Sequence, residues 1–249
     1  MKYLYRIYQL FVGLPVLVLM TIITAIEIGI GTTIGDGHYW GYYPGRWWGR
    51  VILRSLFIPV TVEGCENLER DQSYVFVANH QGAFDIFLIY GYLKRNFKWM
   101  MKYQLKKIPF FGYACVRSHQ IFVDKRGPSK VRKTYEQARE ILKEGYSVTV
   151  FPEGARTFTG HMAQFRKGAF ALADELQLPV VPLTINGSFD IMPRTSRWAA
   201  WHPMKLTIHE PIETSKAGRD VKQVMDESYR AIEQALVPQY QGFIENPDQ

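Results

Sequence analysis

Cysteine is scarce in this 249-residue sequence, which contains only Cys65 and Cys115. Two cysteines far apart in the chain form neither a disulfide framework nor a set of metal ligands. The histidines outside the stretch discussed below show no paired spacing for a metal either. The sequence therefore predicts no disulfide-stabilised fold and no metal centre, and two unpaired thiols suit a reducing compartment.

Internal repeats, low-complexity tracts and nucleic-acid-binding signatures are also absent. With 47% hydrophobic residues, the chain can bury the core of one domain with an appendage. Lys and Arg number 30 against 23 Asp and Glu, a net charge of +7 that suits nucleic acid, an anionic membrane surface or an anionic substrate. Because no basic helix-turn-helix, zinc-finger or RNP-type segment is present, we expect a membrane surface and an anionic substrate as partners, and no nucleic acid.

Charged residues are missing from positions 10–26. At ~1.5 Å per residue this run reaches about 25 Å as a helix, short of the ~30 Å hydrocarbon core of a bilayer. Extension to residue 34 supplies the length but includes Glu27. Basic residues lie on both sides of the run, so the inside-positive rule assigns neither end. The run predicts a single N-terminal span or a re-entrant, monotopic anchor; a cleaved signal peptide is a further interpretation.

Aromatic residues cluster directly after this run, and amphipathic rings favour the headgroup level of a membrane. Arg46, Arg50 and Arg54 recur every four residues among apolar ones, the pattern of an interfacial helix with a cationic stripe. The alternative is an ordinary surface helix whose aromatic face packs on the domain. We predict that residues 1–57 form a membrane-associated helical element. The aromatic cluster consists of Tyr39, Trp40, Tyr42, Tyr43, Trp47 and Trp48.

A histidine and a carboxylate lie together at positions 79–85. The apolar run 74–78 before them predicts a buried strand, and residues 86–93 after them predict a helix. Ligands bind at such strand-to-helix junctions in open α/β sheets. If His80 precedes the helix and Asp85 lies in its first turns, the carboxylate can fix the imidazole tautomer and leave the other nitrogen as a general base. A hydrogen-bonded structural histidine is the alternative.

A second block repeats this arrangement. Residues 148–150 predict another buried strand, followed by Phe-Pro-Glu-Gly-Ala-Arg at 151–156. This block and the Asn-His-x4-Asp of the first resemble the motifs of the 1-acylglycerol-3-phosphate acyltransferases, the PlsC-like or lysophospholipid acyltransferase family. The resemblance extends from about residue 67 to about residue 213.

The resemblance implies an α/β fold with a single mixed sheet flanked by helices, preceded by an N-terminal hydrophobic helical element that docks on the membrane. We accordingly expect the membrane element at 1–57 and the acyltransferase catalytic domain at 58–249. The implied reaction is acyl transfer from an acyl carrier protein or coenzyme A thioester to the free sn-2 hydroxyl of 1-acylglycerol-3-phosphate. It would occur at the cytoplasmic face of a membrane, with no metal and no cofactor besides the thioester co-substrate.

The resemblance also assigns roles to individual residues. His80 would be the general base, oriented by Asp85, and Arg156 would bind the phosphate of the acceptor together with Lys125 or Arg126. Lys125 occupies the position where the family usually has arginine, so the share of each of these two cations is open. The residues expected to bind substrate are Lys102, Lys125, Arg126, Glu153, Gly154 and Arg156.

Alternatives exist for these roles. Lys102 would reach the thioester carbonyl or a bound anion, or it is a solvated lysine. Two residues later this chain has Gln104 where the family often has glutamate, which puts any role of that charge in doubt. Glu153 would hydrogen-bond the glycerol or hold Arg156, or it forms a structural salt bridge. The chain as a whole is alternatively an acyltransferase for another lysolipid, or a non-catalytic lipid carrier that docks on membranes.

Overall fold

The computed structural model describes residues 2–124, 126–214 and 218–243, so the predicted site residue Lys125 lies outside the described part. Its strands are β1 (Val60–Glu63), β2 (Val75–Ala78), β3 (Phe97–Lys102), β4 (Ile121–Val123), β5 (Ser147–Val150), β6 (Val180–Asn186) and β7 (Met204–Ile208). Its helices are α1 (Lys2–Tyr8), α2 (Leu14–Ile34), α3 (Gly37–Trp40), α4 (Tyr43–Ser55), α5 (Asp85–Tyr92), α6 (Phe111–Arg117), α7 (Pro128–Lys143), α8 (Gly168–Glu175), α9 (Ser188–Ile191) and α10 (Val221–Gln234).

The strands form one sheet in the order β1-β7-β6-β2-β5-β3-β4. Neighbouring strands pair in parallel except β6 and β7, which are antiparallel. The sheet is therefore mixed and flanked by helices, which confirms the predicted α/β fold. Because β6, β2, β5, β3 and β4 all run in the same direction, their carboxyl ends share one edge of the sheet.

The central strands are buried along their whole length because helices cover both faces of the sheet. Every residue of β2 and β6 is buried, as expected for strands sandwiched between helices. Successive strand residues point to opposite faces. Phe76 accordingly packs in a core with residues of α4 and α5, and Val77 in a core with residues of α7, α8 and α10.

The N-terminal segment is one continuous helix. A π-helical turn at Gln9–Gly13 joins α1 to α2, and the resulting helix Lys2–Ile34 is long and apolar enough to cross a membrane. It packs against α4 and α6 on one side, and many of its apolar side chains are exposed on the other, among them Leu19 and Ile30. This helix is a candidate membrane element. The division of the chain at residues 57 and 58 stays a prediction.

The predicted interfacial helix, α4, separates its aromatic residues between two faces. Trp48 is buried and packs against Phe87 of α5, whereas Trp47 is 56% exposed. Arg54 is exposed, and Arg50 is partly buried with its Nε donating to the carbonyl oxygen of Gly91 at 2.7 Å. The inner face of α4 therefore packs on the domain, as one interpretation predicts, and the outer face presents tryptophan and arginine outward.

Candidate active site

His80 and Asp85 lie at the carboxyl end of β2, where the chain turns into α5. Nδ1 of His80 and Oδ2 of Asp85 are 2.7 Å apart. Five residues along a regular helix would point the two side chains about 140° apart, but His80 precedes the helix and Asp85 is its first residue. The non-helical turn between them brings the carboxylate back onto the imidazole.

Backbone amides fix the position of this carboxylate. Oδ2 of Asp85 also accepts the N–H groups of Gln81 at 2.9 Å and Gly82 at 3.0 Å. The Asp85 side chain is fully buried, whereas 15% of the His80 side chain is exposed. A carboxylate beside Nδ1 favours the tautomer with a proton on that nitrogen, which leaves Nε2 free to accept one. The imidazole is therefore oriented as a base would be.

Aromatic rings from the neighbouring strands fix the plane of the imidazole. Phe151, directly after β5, stacks on His80 with ring centroids 3.9 Å apart and an interplanar angle of 9°. Trp99 of β3 in turn stacks on Phe151, with centroids 5.3 Å apart. Three adjacent strands thus contribute to holding one ring, so its orientation depends on the assembled sheet.

Glu153 holds the backbone of the site. It is 1% exposed, its Oε1 accepts the N–H of His80 at 2.7 Å, and its Oε2 accepts the N–H of Ala163 at 2.9 Å. Burial raises the pKa of this carboxyl to about 8, against the opposing effect of the two hydrogen bonds. Within the described residues it forms no ion pair with an arginine. These contacts favour a structural role for Glu153.

The turn after Glu153 carries one arginine and packs against another. Gly154 has a φ of +81°, and a Cβ at this position would lie 3.0 Å from Cζ of Arg166. Arg156 is half-buried, Arg166 is exposed, and neither forms an ion pair with a carboxylate of the described chain. The sequence predicts a role for Arg156, which stays a prediction, and none for Arg166, for which the available signal was the cationic pair with Lys167 just before α8.

The other predicted cations lie farther along the same edge. Lys102 is the exposed last residue of β3, two strands from β2, and Arg126 follows β4, three strands away. At ~4.8 Å per strand, β3 and β4 are about 10 and 14 Å from β2. Arg126 donates to both oxygens of Asp124, at 2.9 and 2.7 Å, and this lowers the pKa of Asp124 to about 2. Neither cation belongs to the hydrogen-bonded cluster around His80.

The cluster around His80 suits proton transfer. Where the chain is described, no group of three His, Cys, Asp or Glu residues could hold a metal ion. The chemical groups offered are an oriented imidazole at the edge of the sheet and guanidinium groups at the adjacent turn. The imidazole can take a proton from a hydroxyl, and the guanidinium groups can bind an anion close to that hydroxyl.

Comparisons with known proteins identify the family of this chain. The family model described as Acyltransferase matches residues 59–186. Relatives include the chloroplastic 1-acyl-sn-glycerol-3-phosphate acyltransferase LPAT1 of Arabidopsis thaliana, 36% identical over 178 residues. Another is the 1-acyl-sn-glycerol-3-phosphate acyltransferase of Saccharomyces cerevisiae, 29% identical over 194 residues. The matched regions are 71% and 76% of this chain but 49% and 63% of those two proteins. The match to the plant relative thus spans about half of that protein's length.

The fold has a solved counterpart in the crystal structure of the 1-acyl-sn-glycerophosphate acyltransferase PlsC from Thermotoga maritima. The two structures align with a TM-score of 0.78 and 24% identity over 93% of each chain, a likeness of fold. The match to the family model covers just over half of the chain and contains both the His80 and the Glu153 blocks. The chain therefore belongs to the Acyltransferase family.

Proposed function

We propose that the protein transfers an acyl group from a thioester to the sn-2 hydroxyl of 1-acylglycerol-3-phosphate and so forms phosphatidic acid. The observation that carries this proposal is the buried Asp85 carboxylate 2.7 Å from Nδ1 of His80, whose ring reaches the surface. A lipid carrier has no use for an oriented base. The names of the curated relatives support the choice of acceptor.

In the proposed reaction, Nε2 of His80 removes the hydroxyl proton as the oxygen attacks the thioester carbonyl. The C–O bond forms, the C–S bond breaks, and the imidazolium gives its proton to the leaving thiolate. Asp85 stabilises the imidazolium in between. A base of this kind contributes on the order of 10²- to 10⁴-fold to the rate, and no acyl-enzyme is required.

The cations beside the site would bind the acceptor phosphate. We assign Arg156 to this phosphate because it follows the Glu153 turn and has no carboxylate partner in the described chain. The predicted close approach of the ligand to the backbone of Gly154 stays a proposal, and it requires the guanidinium of Arg166, which lies over this glycine, to move. The predicted shares of Lys125 or Arg126 in the same phosphate, and of Lys102 at the thioester carbonyl, stay proposals.

The N-terminal helix would hold the enzyme at its substrate. An acceptor with one acyl chain and a product with two both reside in membranes, and the exposed apolar side chains of α2 offer a surface for lipid. We propose that this element docks on the cytoplasmic face, where acyl carrier protein and coenzyme A thioesters are available. No other cofactor is proposed.

The test is release of free thiol by the full chain, given lysophosphatidic acid in mixed micelles and either palmitoyl-coenzyme A or palmitoyl-acyl carrier protein. His80→Ala should lose 10²-fold or more of the turnover while keeping its circular dichroism spectrum. His38→Ala is the matched control, because His38 is exposed and stacks on Tyr146 just before β5, at the opposite end of the parallel strands. Unchanged turnover in His80→Ala would remove the base from the mechanism.

A panel of acceptors distinguishes the proposed substrate from other lysolipids. Lysophosphatidic acid should be acylated faster than lysophospholipids with larger headgroups, and Arg156→Ala should raise the KM for it without raising the KM for the thioester. A preference for another acceptor would change the proposed substrate but not the proposed role of His80. Absence of thiol release with every acceptor would favour the lipid carrier.

A further inference from the structure

A polar cavity lies outside the cluster around His80. It has a volume of about 310 Å³ and lies between the edge strand β4, the turn after β3, and α7. This size is at the lower end of the range of small-molecule sites. Phe122 of β4 lines it together with Tyr103, and Thr134 of α7 anchors one wall by donating to the carbonyl oxygen of Phe122 at 3.3 Å.

The lining of this cavity is cationic. Lys106, Lys130 and Lys133 all line it and are exposed, and none of them forms an ion pair within the described chain. Among the described lining residues, the one carboxylate, Asp124, already forms a bidentate pair with Arg126. Three lysines therefore line the cavity without an ion-pair partner in the described chain.

The position of the cavity decides which substrate it can serve. In 1-acylglycerol-3-phosphate, four bonds separate the reacting hydroxyl oxygen from phosphorus, a reach of roughly 5 Å. The cavity lies beyond β4, which is about 14 Å from β2 and His80. A phosphate bound there is too distant to belong to an acceptor whose hydroxyl is at His80.

A thioester donor does have the required length. Coenzyme A and acyl carrier protein both carry their thiol on a 4′-phosphopantetheine arm, about as long as five extended residues, or ~17 Å. Resting on the function proposed above, we propose that the cavity lined by Lys106, Lys130 and Lys133 binds the phosphate of this arm. The arm then runs along the carboxyl ends of β4, β3 and β5 and places the thioester at His80.

This placement explains why the cations are divided between two sites. The acceptor phosphate is bound close to His80, at the Glu153 turn, and the donor phosphate at the sheet edge. Arg126 lines the donor cavity as part of an ion pair, so its contact with an acceptor phosphate and its place in this cavity are alternatives. If Arg126 contacts the acceptor phosphate, its removal should raise the KM of lysophosphatidic acid. If it belongs to this cavity, its removal should raise the KM of the thioester donor.

The test uses the double variant Lys130→Glu/Lys133→Glu in the full chain, with Arg132→Glu/Lys143→Glu as the matched control. All four residues lie on α7, but the control pair does not line the cavity. Each variant is assayed with palmitoyl-coenzyme A, palmitoyl-acyl carrier protein and the S-palmitoyl ester of N-acetylcysteamine, which has no phosphate. Binding of 4′-phosphopantetheine itself is measured by calorimetry.

We compare kcat/KM for the phosphate-bearing donors with kcat/KM for the phosphate-free donor. The cavity variant should lower the ratio of the first to the second by tenfold or more, because hydrogen bonds to charged groups are lost. Calorimetry should show a matching loss of 4′-phosphopantetheine affinity, while the control retains both. A change with only one of the two phosphate-bearing donors would identify the physiological source of the arm.

The proposal is overturned if the ratio and the calorimetric affinity are unchanged, or if the KM of lysophosphatidic acid rises in place of the KM of the donor. Failure of the proposed function gives a different result. In that case the wild-type chain would bind 4′-phosphopantetheine, lose that binding in the cavity variant, and release no thiol from any donor.

Discussion

Two buried carboxylates hold His80 through different atoms. Asp85 bonds the imidazole and two backbone amides of the turn, and Glu153 bonds the backbone N–H of His80 from the next strand. Asp85 therefore controls the tautomer, and Glu153 controls the position of the main chain. The burial of Glu153 also makes its protonation part of the folding equilibrium, because its pKa is raised from 4.5 to about 8.

Glu153→Gln should flatten the dependence of stability on pH. A raised pKa means that the folded state binds a proton more tightly than the unfolded state. The stabilisation is complete below the unfolded pKa of about 4.5 and is lost as pH rises through about 8. We expect the free energy of unfolding of the wild type to fall between pH 5 and pH 8 relative to that of Glu153→Gln, which lacks this contribution.

Thermal unfolding at pH 5, 6.5 and 8 measures this difference. The introduced glutamine presents an amide NH₂ to one of the two backbone donors, so a lower overall stability is expected and only the slope is diagnostic. Glu175→Gln, which removes an exposed carboxylate of α8, should leave the slope of the wild type. Equal slopes for the wild type and Glu153→Gln would show that Glu153 is ionised in the folded protein at pH 5.

At the scale of elements, the turn between β2 and α5 is held by the strand beside it. The side chain of Asn79 accepts the N–H of Ile185 at 2.7 Å and donates to its carbonyl oxygen at 2.9 Å, extending the pairing of β2 with β6. Gly82 packs against the start of α9, where a Cβ would lie 2.4 Å from Oγ of Ser188 and 2.5 Å from its carbonyl oxygen. The turn thus has no room for a side chain at position 82.

Gly82→Ala should therefore displace the turn that holds Asp85 against His80. We expect a loss of about 1–3 kcal/mol in the free energy of unfolding from overpacking. A displacement of about 1 Å at a catalytic group can cost about 10²-fold in turnover. Gly37→Ala is the control, since no atom lies within 4 Å of a Cβ placed there. Turnover in Gly82→Ala within twofold of the wild type would show that α9 can move aside.

Local sequence patterns predicted the elements that carry the site but only part of its contacts. The apolar runs before His80 and Phe151 predict strands because those strands are buried on both faces. Nothing local indicates that Phe151 stacks on His80 or that Arg166 lies over Gly154, because these contacts join different strands and depend on the order of the sheet. The role of Glu153 could not be predicted for the same reason. Its motif predicts a charged residue at the site, whereas in the fold the residue is buried and accepts hydrogen bonds from two backbone amides.

At the scale of the whole molecule, the apolar N-terminal helix is attached to the part of the fold that carries His80. The helix is fixed to the domain at its start, where Gln9 forms two hydrogen bonds with Ala199, at 2.7 and 3.0 Å. Arg6 lies 5.9 Å from the ring of Trp198 in the same segment. The exposed apolar face of the helix is thus held in a defined position relative to the α/β sheet and its flanking helices.

Leu19→Asp should weaken binding of the full chain to lipid vesicles. Leu19 is 57% exposed near the middle of α2, and a carboxylate at the centre of a membrane-embedded helix costs about 2.5–3.5 kcal/mol. Partitioning into vesicles of phosphatidylcholine and phosphatidylglycerol, measured by flotation, should fall by about tenfold or more. Val237→Asp changes another exposed apolar residue, beyond α10, and should float like the wild type. Equal flotation of Leu19→Asp and the wild type would mean that this face of α2 does not enter the bilayer. The role of the helix would then be limited to its packing against α4 and α6.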